Sequence, residues 1–214
     1  MKLLRLSRCL RMLGTMLGTL FATLLLSGCI ALLAPSVETE VKHIKAGQYQ
    51  LDRSHAALLF RASHIGLSTY VGRFNTFDAS LNFDPQNMAN TELDAVIEID
   101  SLDINNDGLK KDLMGSTWFD QKKYPQAHFT TRSVIPINDA EFEFVGDLNW
   151  RGVTQPISLM VTFHGGANNL LTGRYTLGFS ATGTFSRAAF GMDAYAAFVG
   201  DEIDIETHAE FQKR

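Results

Sequence analysis

The sequence predicts an all-β domain: an antiparallel meander closed into a barrel, with one short helical insert. Three observations carry this. Apolar and polar residues alternate in run after run, the period-two pattern of half-buried strands. Clusters of turn-forming residues separate the runs. The runs also follow one another through short connections, the order of a meander whose closure removes its exposed edges.

The first residues lie outside that domain. Lys2, Arg5, Arg8 and Arg11 precede an apolar run from Met12 to Leu26 that is too short to span a bilayer comfortably. Residues 1–28 therefore have the layout of an export signal. The segment ends in Leu26-Ser27-Gly28-Cys29, which resembles the lipobox of bacterial lipoproteins. Cys29 would then carry the lipid, palmitate included, and become the mature first residue; the alternative is an ordinary signal peptide with a chance cysteine. Cys9 would leave with the signal, so no second cysteine remains for an internal disulfide. Ile30 stands where an aspartate often retains lipoproteins at the inner membrane. In a Gram-negative host this directs the protein to the periplasmic face of the outer membrane.

Removing the signal leaves 15 basic residues against 23 acidic ones. That balance argues against nucleic acid as a partner. The doublets Lys110-Lys111 and Lys122-Lys123 read as solvated faces, so acylation rather than surface charge would hold the chain at a membrane. Residues 29–46, with Pro35, Glu38, Glu40, Lys42 and Lys45, read as a lipidated N-terminus and tether. Residues 47–214 are long enough for one domain with a sizeable core, without internal repeats.

Within that domain the elements follow in order. Leu58, Phe60, Ala62 and His64 share one phase, with His55 on the other. Phe77 and Phe83 fall on a second inner phase, and Asp84-Pro85-Gln86-Asn87 turns the chain. From Glu92 to Asp100 the apolar phase is Leu93, Ala95, Ile97 and Ile99. Asn106 or Asp107 can cap a short helix through Met114, ended by Gly115. Trp118 and Phe119 then precede Tyr124-Pro125, where proline forces an extended or turning chain; this insert is expected to cover one barrel mouth. Phe142, Phe144, Leu148 and Trp150 alternate with Glu141, Glu143, Asp147 and Asn149, up to a turn at Arg151-Gly152. Ile157, Leu159, Val161 and Phe163 precede expected turns at Gly165-Gly166 and Asn168-Asn169. The phase Tyr175, Leu177, Phe179, Ala181, Gly183, Phe185 runs on to Arg187. After an expected turn at Gly200-Asp201, Ile203, Ile205, Ala209 and Phe211 close the series.

A barrel of about eight strands is either filled by its own side chains or holds one small ligand. Aromatics on inner phases fit both readings. Arg187 is the exception to the apolar phase, because a guanidinium is not buried cheaply without a partner. It either contacts a polar ligand group or pairs with Asp52, Asp193 or Asp201. His64 likewise either contacts a ligand or hydrogen-bonds a turn carbonyl beside Gly66, and His55 with Asp52 reads as a structural brace.

The order of short motifs is more specific than any of them. Tyr49-Gln50-Leu51-Asp52-Arg53-Ser54-His55, His64-Ile65-Gly66-Leu67 and Gly72-Arg73-Phe74 come first. Trp118-Phe119-Asp120, Tyr124-Pro125-Gln126-Ala127-His128-Phe129, Gly146-Asp147-Leu148, Arg151-Gly152-Val153-Thr154-Gln155-Pro156-Ile157, Phe185-Ser186-Arg187, Phe190-Gly191-Met192 and Gly200-Asp201-Glu202-Ile203 follow. Over essentially all of 47–214 the chain resembles the YceI family of lipid-binding, lipocalin-like proteins. The resemblance implies an eight-stranded antiparallel lipocalin-like barrel holding a long isoprenoid chain, such as a polyprenyl lipid or a ubiquinone-like quinone, with no other cofactor. The expected lining is Phe60, Phe74, Phe77, Leu93, Ile97, Phe142, Phe144, Leu148, Phe179 and Phe185, with His64 and Arg187 as polar candidates at the head group.

The implied role is non-catalytic binding, storage or transport. Capture of other amphiphiles such as hydrophobic antibiotics is the alternative, and an enzyme acting on a barrel-bound lipid is the rival class. Neither a G-x-S-x-G elbow nor an H-E-x-x-H motif is present. The six histidines form no ligand-spaced pair along one element, although His164 and His208 leave a metal site across strands open.

Overall fold

The computed structural model describes residues 35–214. The segment read as an export signal, 1–28, and Cys29 lie outside the described residues. Val37–Arg214 form one compact unit that contains every strand among the described residues and its own core, which is what independent folding requires.

Ten strand segments make up the sheet: β1 Gly47–His64, β2 Ser68–Phe74, β3 Phe77–Phe83, β4 Glu92–Glu98, β5 Leu102–Asp103, β6 Gln126–Pro136, β7 Glu141–Trp150, β8 Val153–Asn168, β9 Tyr175–Ser186 and β10 Val199–Lys213. β1 is long enough to pair along one edge with β3 and then with β2, so those two segments are halves of one strand broken at Asn75-Thr76. β5 continues β4 in the same way beside β2. The ring is therefore an eight-stranded antiparallel barrel, closed where β10 pairs with β1. Successive strands are neighbours throughout, the meander that the alternation predicts.

The one α-helix among the described residues, α1 Asp107–Leu113, sits in the insert between β5 and β6, and the Asn106 side chain caps it by accepting the Leu109 N–H at 2.9 Å. β7 and β8 are joined by the two-residue turn Arg151-Gly152. Both residues have positive φ, the geometry that matches the twist of a hairpin. Gly146 sits on the inner phase of β7 because the Phe129 ring lies over it. A Cβ there would stand 2.5 Å from that ring.

Three expectations need correction. The segment read as a tether packs on the barrel from Val37 onward. Glu38 bridges to Gly166, Val41 packs on the core and Ile44 is buried. Polar spacing hid this, because among the described residues of that stretch only Val41 and Ile44 reach the core. Gly165-Gly166 is a bulge within β8 rather than a turn, and a Cβ at Gly165 would strike Val37 and Glu38. The glycines admit the N-terminal segment, and the chain reverses later, at 169–173. Gly200-Asp201 lies inside β10.

The strand directions define two ends. At one, the 3-10 turn Val41–His43 and Ile44 lie over a cluster of Tyr49, Phe83, Phe163, Phe179, Leu177 and Phe211, with ring centroids 5.3–6.1 Å apart where the phenylalanines meet. At the other stand the β1–β2 turn, the α1 insert, the Arg151-Gly152 turn and the stretch Arg187–Phe198.

Candidate functional site

The inner phases do not fill the barrel. They enclose a cavity of about 1200 Å³, larger than the roughly 300–1,000 Å³ of an ordinary small-molecule pocket. Phe60, Phe74, Phe77, Leu93, Ala95, Ile97, Phe185, Ile205 and Ala209 pack against the core yet stay only partly buried, since one side of each faces this space. Alternation puts them there: the apolar phases of β1, β4, β7, β8, β9 and β10 all point inward.

Of the residues expected to line a ligand site, Phe60, His64, Phe74, Phe77, Leu93, Ile97, Phe144, Leu148, Phe179, Phe185 and Arg187 do line the cavity. Phe142 does not. It is buried near the closed end of β7, where the aromatic cluster occupies the lumen. The lining residues that are exposed, among them His64, Ser68, Lys111, Thr117, Tyr195 and Phe198, belong to the other end, which is the mouth.

Arg187 does not end a strand. β9 stops at Ser186, and Arg187 turns into αR geometry at the start of the 3-10 turn Ala188–Phe190. Arg187 is 3 % exposed, and the carboxylate pairing that is one of its two expected alternatives is absent among the described residues. Four main-chain carbonyls satisfy it instead. Nε donates to Gly200 (2.9 Å), Nη2 to Val199 (2.9 Å), and Nη1 to Ala194 (2.9 Å) and Met192. Arg187 thus folds the 188–200 stretch around itself. Of its five donors one on Nη2 is left without a partner among the described residues, and Arg187 lines the cavity. The guanidinium also stacks over Trp118 at 5.1 Å, and Trp118 lies parallel to Tyr195 at 6.0 Å. Asp201 forms no ion pair with Arg187 among the described residues, although the nearby guanidinium charge also favours the ionised carboxylate. Its carboxylate accepts the Ala188 N–H at 2.9 Å, and a hydrogen bond from Ser186 with this one holds its pKa below the usual carboxylate range.

A second arginine braces the same end. Arg151 donates to the carbonyls of Gly191 (2.6 Å) and Ser116 (3.1 Å), linking the insert to the turn after β9. Trp150, 6 % exposed and lining the cavity, has an Nε1–H with no partner among the described residues. The unbroken phase to Trp150 was legible, but its orphaned donor was not. His64 makes no side-chain hydrogen bond among the described residues; only its carbonyl serves the turn, accepting Leu67 N–H at 3.0 Å.

Asp52 and His55 form a brace on the outer surface, away from the cavity. They sit in a bulge of β1, where Asp52–His55 oppose the single residue Glu210 of β10. Asp52 accepts from Ser54 Oγ (2.6 Å) and from Gln212, and it faces His55 Nδ1 at 3.0 Å. The hydrogen bonds from Ser54 and then His55 lower its pKa to about 2, and the Asp52 carboxylate raises that of His55. His164 and His208 do not share a site; each contacts its own neighbour, Ser180 or Glu206.

A YceI-like domain matches residues 49–211. The chain belongs to the YceI-like family. A UPF0312 protein of Vibrio parahaemolyticus is 31% identical over 172 residues, covering 79% of this chain and 89% of that one. The Campylobacter jejuni YceI protein has a solved structure that aligns with a TM-score of 0.64 and 27% identity, over 71% of this chain and 90% of its own. A polyisoprenoid binding domain from Saccharophagus degradans, implicated in plant cell wall breakdown, shares the fold at 13% identity. Its TM-score is 0.58, over 79% of this chain and all of that domain. In this YceI-like chain four of the motifs singled out in the sequence, His64-Ile65-Gly66-Leu67, Trp118-Phe119, Arg151-Gly152 and Phe185-Ser186-Arg187, stand at the mouth.

Proposed function

We propose that this barrel binds the chain of a long isoprenoid lipid or quinone and stores or carries it, without chemistry of its own. One observation carries the reading: an apolar cavity of about 1200 Å³ whose aromatic walls are left half-bare. At about 25 cal/mol per Å² of apolar surface, burying several hundred square ångströms of tail offsets the cost of ordering it. The polyisoprenoid-binding character of the Saccharophagus domain supports the choice of cargo. The free Nη2–H of Arg187, the unpartnered Nε1–H of Trp150 and the His64 imidazole offer a head group its polar contacts at the mouth end. No other cofactor is required. Native mass spectrometry of Val37–Arg214, followed by organic extraction, tests this: a co-purifying prenyl lipid or quinone is expected. A protein that emerges empty and takes up no added prenyl lipid refutes it.

We further propose that Cys29 is acylated and holds the protein on the periplasmic face of the outer membrane. Palmitate labelling should be lost on Cys29→Ser; labelling that persists would overturn the assignment.

A further inference from the structure

We infer that the mouth of the barrel docks on a lipid bilayer through two uncharged tips, Ser63–Val71 and Ala194–Gly200. These tips touch: the Ile65 N–H donates to the Phe198 carbonyl at 2.8 Å. In a chain with 20% charged residues, neither stretch contains Asp, Glu, Lys or Arg, and His64 is the one titratable side chain apart from tyrosines. They expose large apolar groups instead: Leu67 is 85 % exposed, Tyr195 63 % and Phe198 56 %.

Backbone geometry makes this costly to the fold. Ile65 and Tyr195 hold φ of 51° and 57°, the left-handed region that glycine or asparagine occupies more cheaply. Ile65 shares a tight turn with Gly66, where Asn-Gly is the favoured pair. A β-branched residue that is strained and half exposed gains little from folding, so its use points to a contact outside the molecule.

Two further observations select a bilayer as that contact. Tyr195 and Phe198 line the cavity as well as the outer rim, so the patch is continuous with the apolar lumen, and a tail could pass between them without crossing water. The tips also lack the basic residues that recognise anionic head groups, so the surface matched is zwitterionic. The N-terminal segment joins the barrel at the other end, where Glu38 bridges to Gly166.

The inference rests on the lipid-carrier reading, and the test separates the two. Val37–Arg214 is floated with vesicles of phosphatidylcholine and phosphatidylethanolamine, with and without phosphatidylglycerol, at low and high salt. Flotation should be insensitive to salt and to phosphatidylglycerol. Leu67→Asp with Ile65→Asp, both at exposed positions that do not line the cavity, should lower vesicle affinity about tenfold or more. The same variant should still take up a prenyl alcohol presented in detergent. If wild type and variant both fail to take it up, the carrier reading has failed. If uptake is normal but wild type does not float, or floats only with anionic vesicles at low salt, docking is overturned. A dimer in sedimentation that the double variant dissociates would assign the patch to a second copy. A Leu67→Cys thiol shielded from maleimide in the full chain, but not in Val37–Arg214, would assign it to the N-terminal segment.

Discussion

Replacing Arg187 by methionine tests the account of the mouth most directly. The side chain keeps similar length and apolar bulk but loses every donor. Each hydrogen bond from a charged group is worth about 1.5–3 kcal/mol net, and Arg187 makes four, to Met192, Ala194, Val199 and Gly200. Water reaches the outer carbonyls once the guanidinium is gone, which brings the net loss to about 3–5 kcal/mol. For a domain of this size that is about 6–20 °C in melting temperature. Thermal unfolding followed by far-ultraviolet circular dichroism reads it, with amide exchange over 188–200 as the local measure. Arg187→Lys keeps the charge but not the planar fork, so it should recover only part of the loss. A methionine variant melting within about 2 °C of wild type, with 188–200 still protected, would refute the view that this arginine builds the mouth.

Filling the lumen should separate binding from folding: Ala95→Trp points into the cavity beside Ala79 and Phe129, and it should abolish prenyl-lipid uptake while the domain stays folded. Uptake unchanged by this substitution would place the cargo elsewhere. Gly146→Ala should cost about 1–3 kcal/mol in urea unfolding, because the added Cβ meets the Phe129 ring and the Thr130 carbonyl at 2.5 Å; a neutral result would show that the ring moves freely. The Asp52–His55 brace predicts a pH window. Asp52 with its lowered pKa stabilises the fold above the usual carboxylate range and loses that contribution as pH falls from about 4 toward about 2. His55 with its raised pKa contributes fully below about 6.5 and loses its share as pH rises through the raised value. Asp52→Asn should therefore cost most between these limits, and a stability difference that does not vary with pH would remove the brace.

Strand phase was the most legible property of this sequence, because the face of a residue depends only on its place in the alternation. Leu93, Ala95, Ile97 and Ile99 line the cavity as their phase predicts. Phase is silent on position along the barrel, so Phe142, equally inward, falls in the plugged end while Phe144 reaches the open lumen. It also fails where a strand stops. Arg187 continues the pattern on paper, but the backbone turns at Ser186, and its partners are carbonyls that no residue-type pattern reveals. Gly165-Gly166 misled for a related reason. Glycine serves turns and close approaches alike, and the approach here is by a segment distant in sequence. The helix was legible to within one residue of its cap, since Asn106 and Asp107 both suit that role and only the geometry selects Asn106.

The plug of Ile44 and the phenylalanines has a consequence for traffic. A lumen sealed at its base is a cup rather than a conduit, so any cargo held there would leave by the port through which it entered. Net movement would then follow the gradient in cargo activity between the surfaces that the rim visits, and neither the barrel nor its aromatic walls would impose a direction.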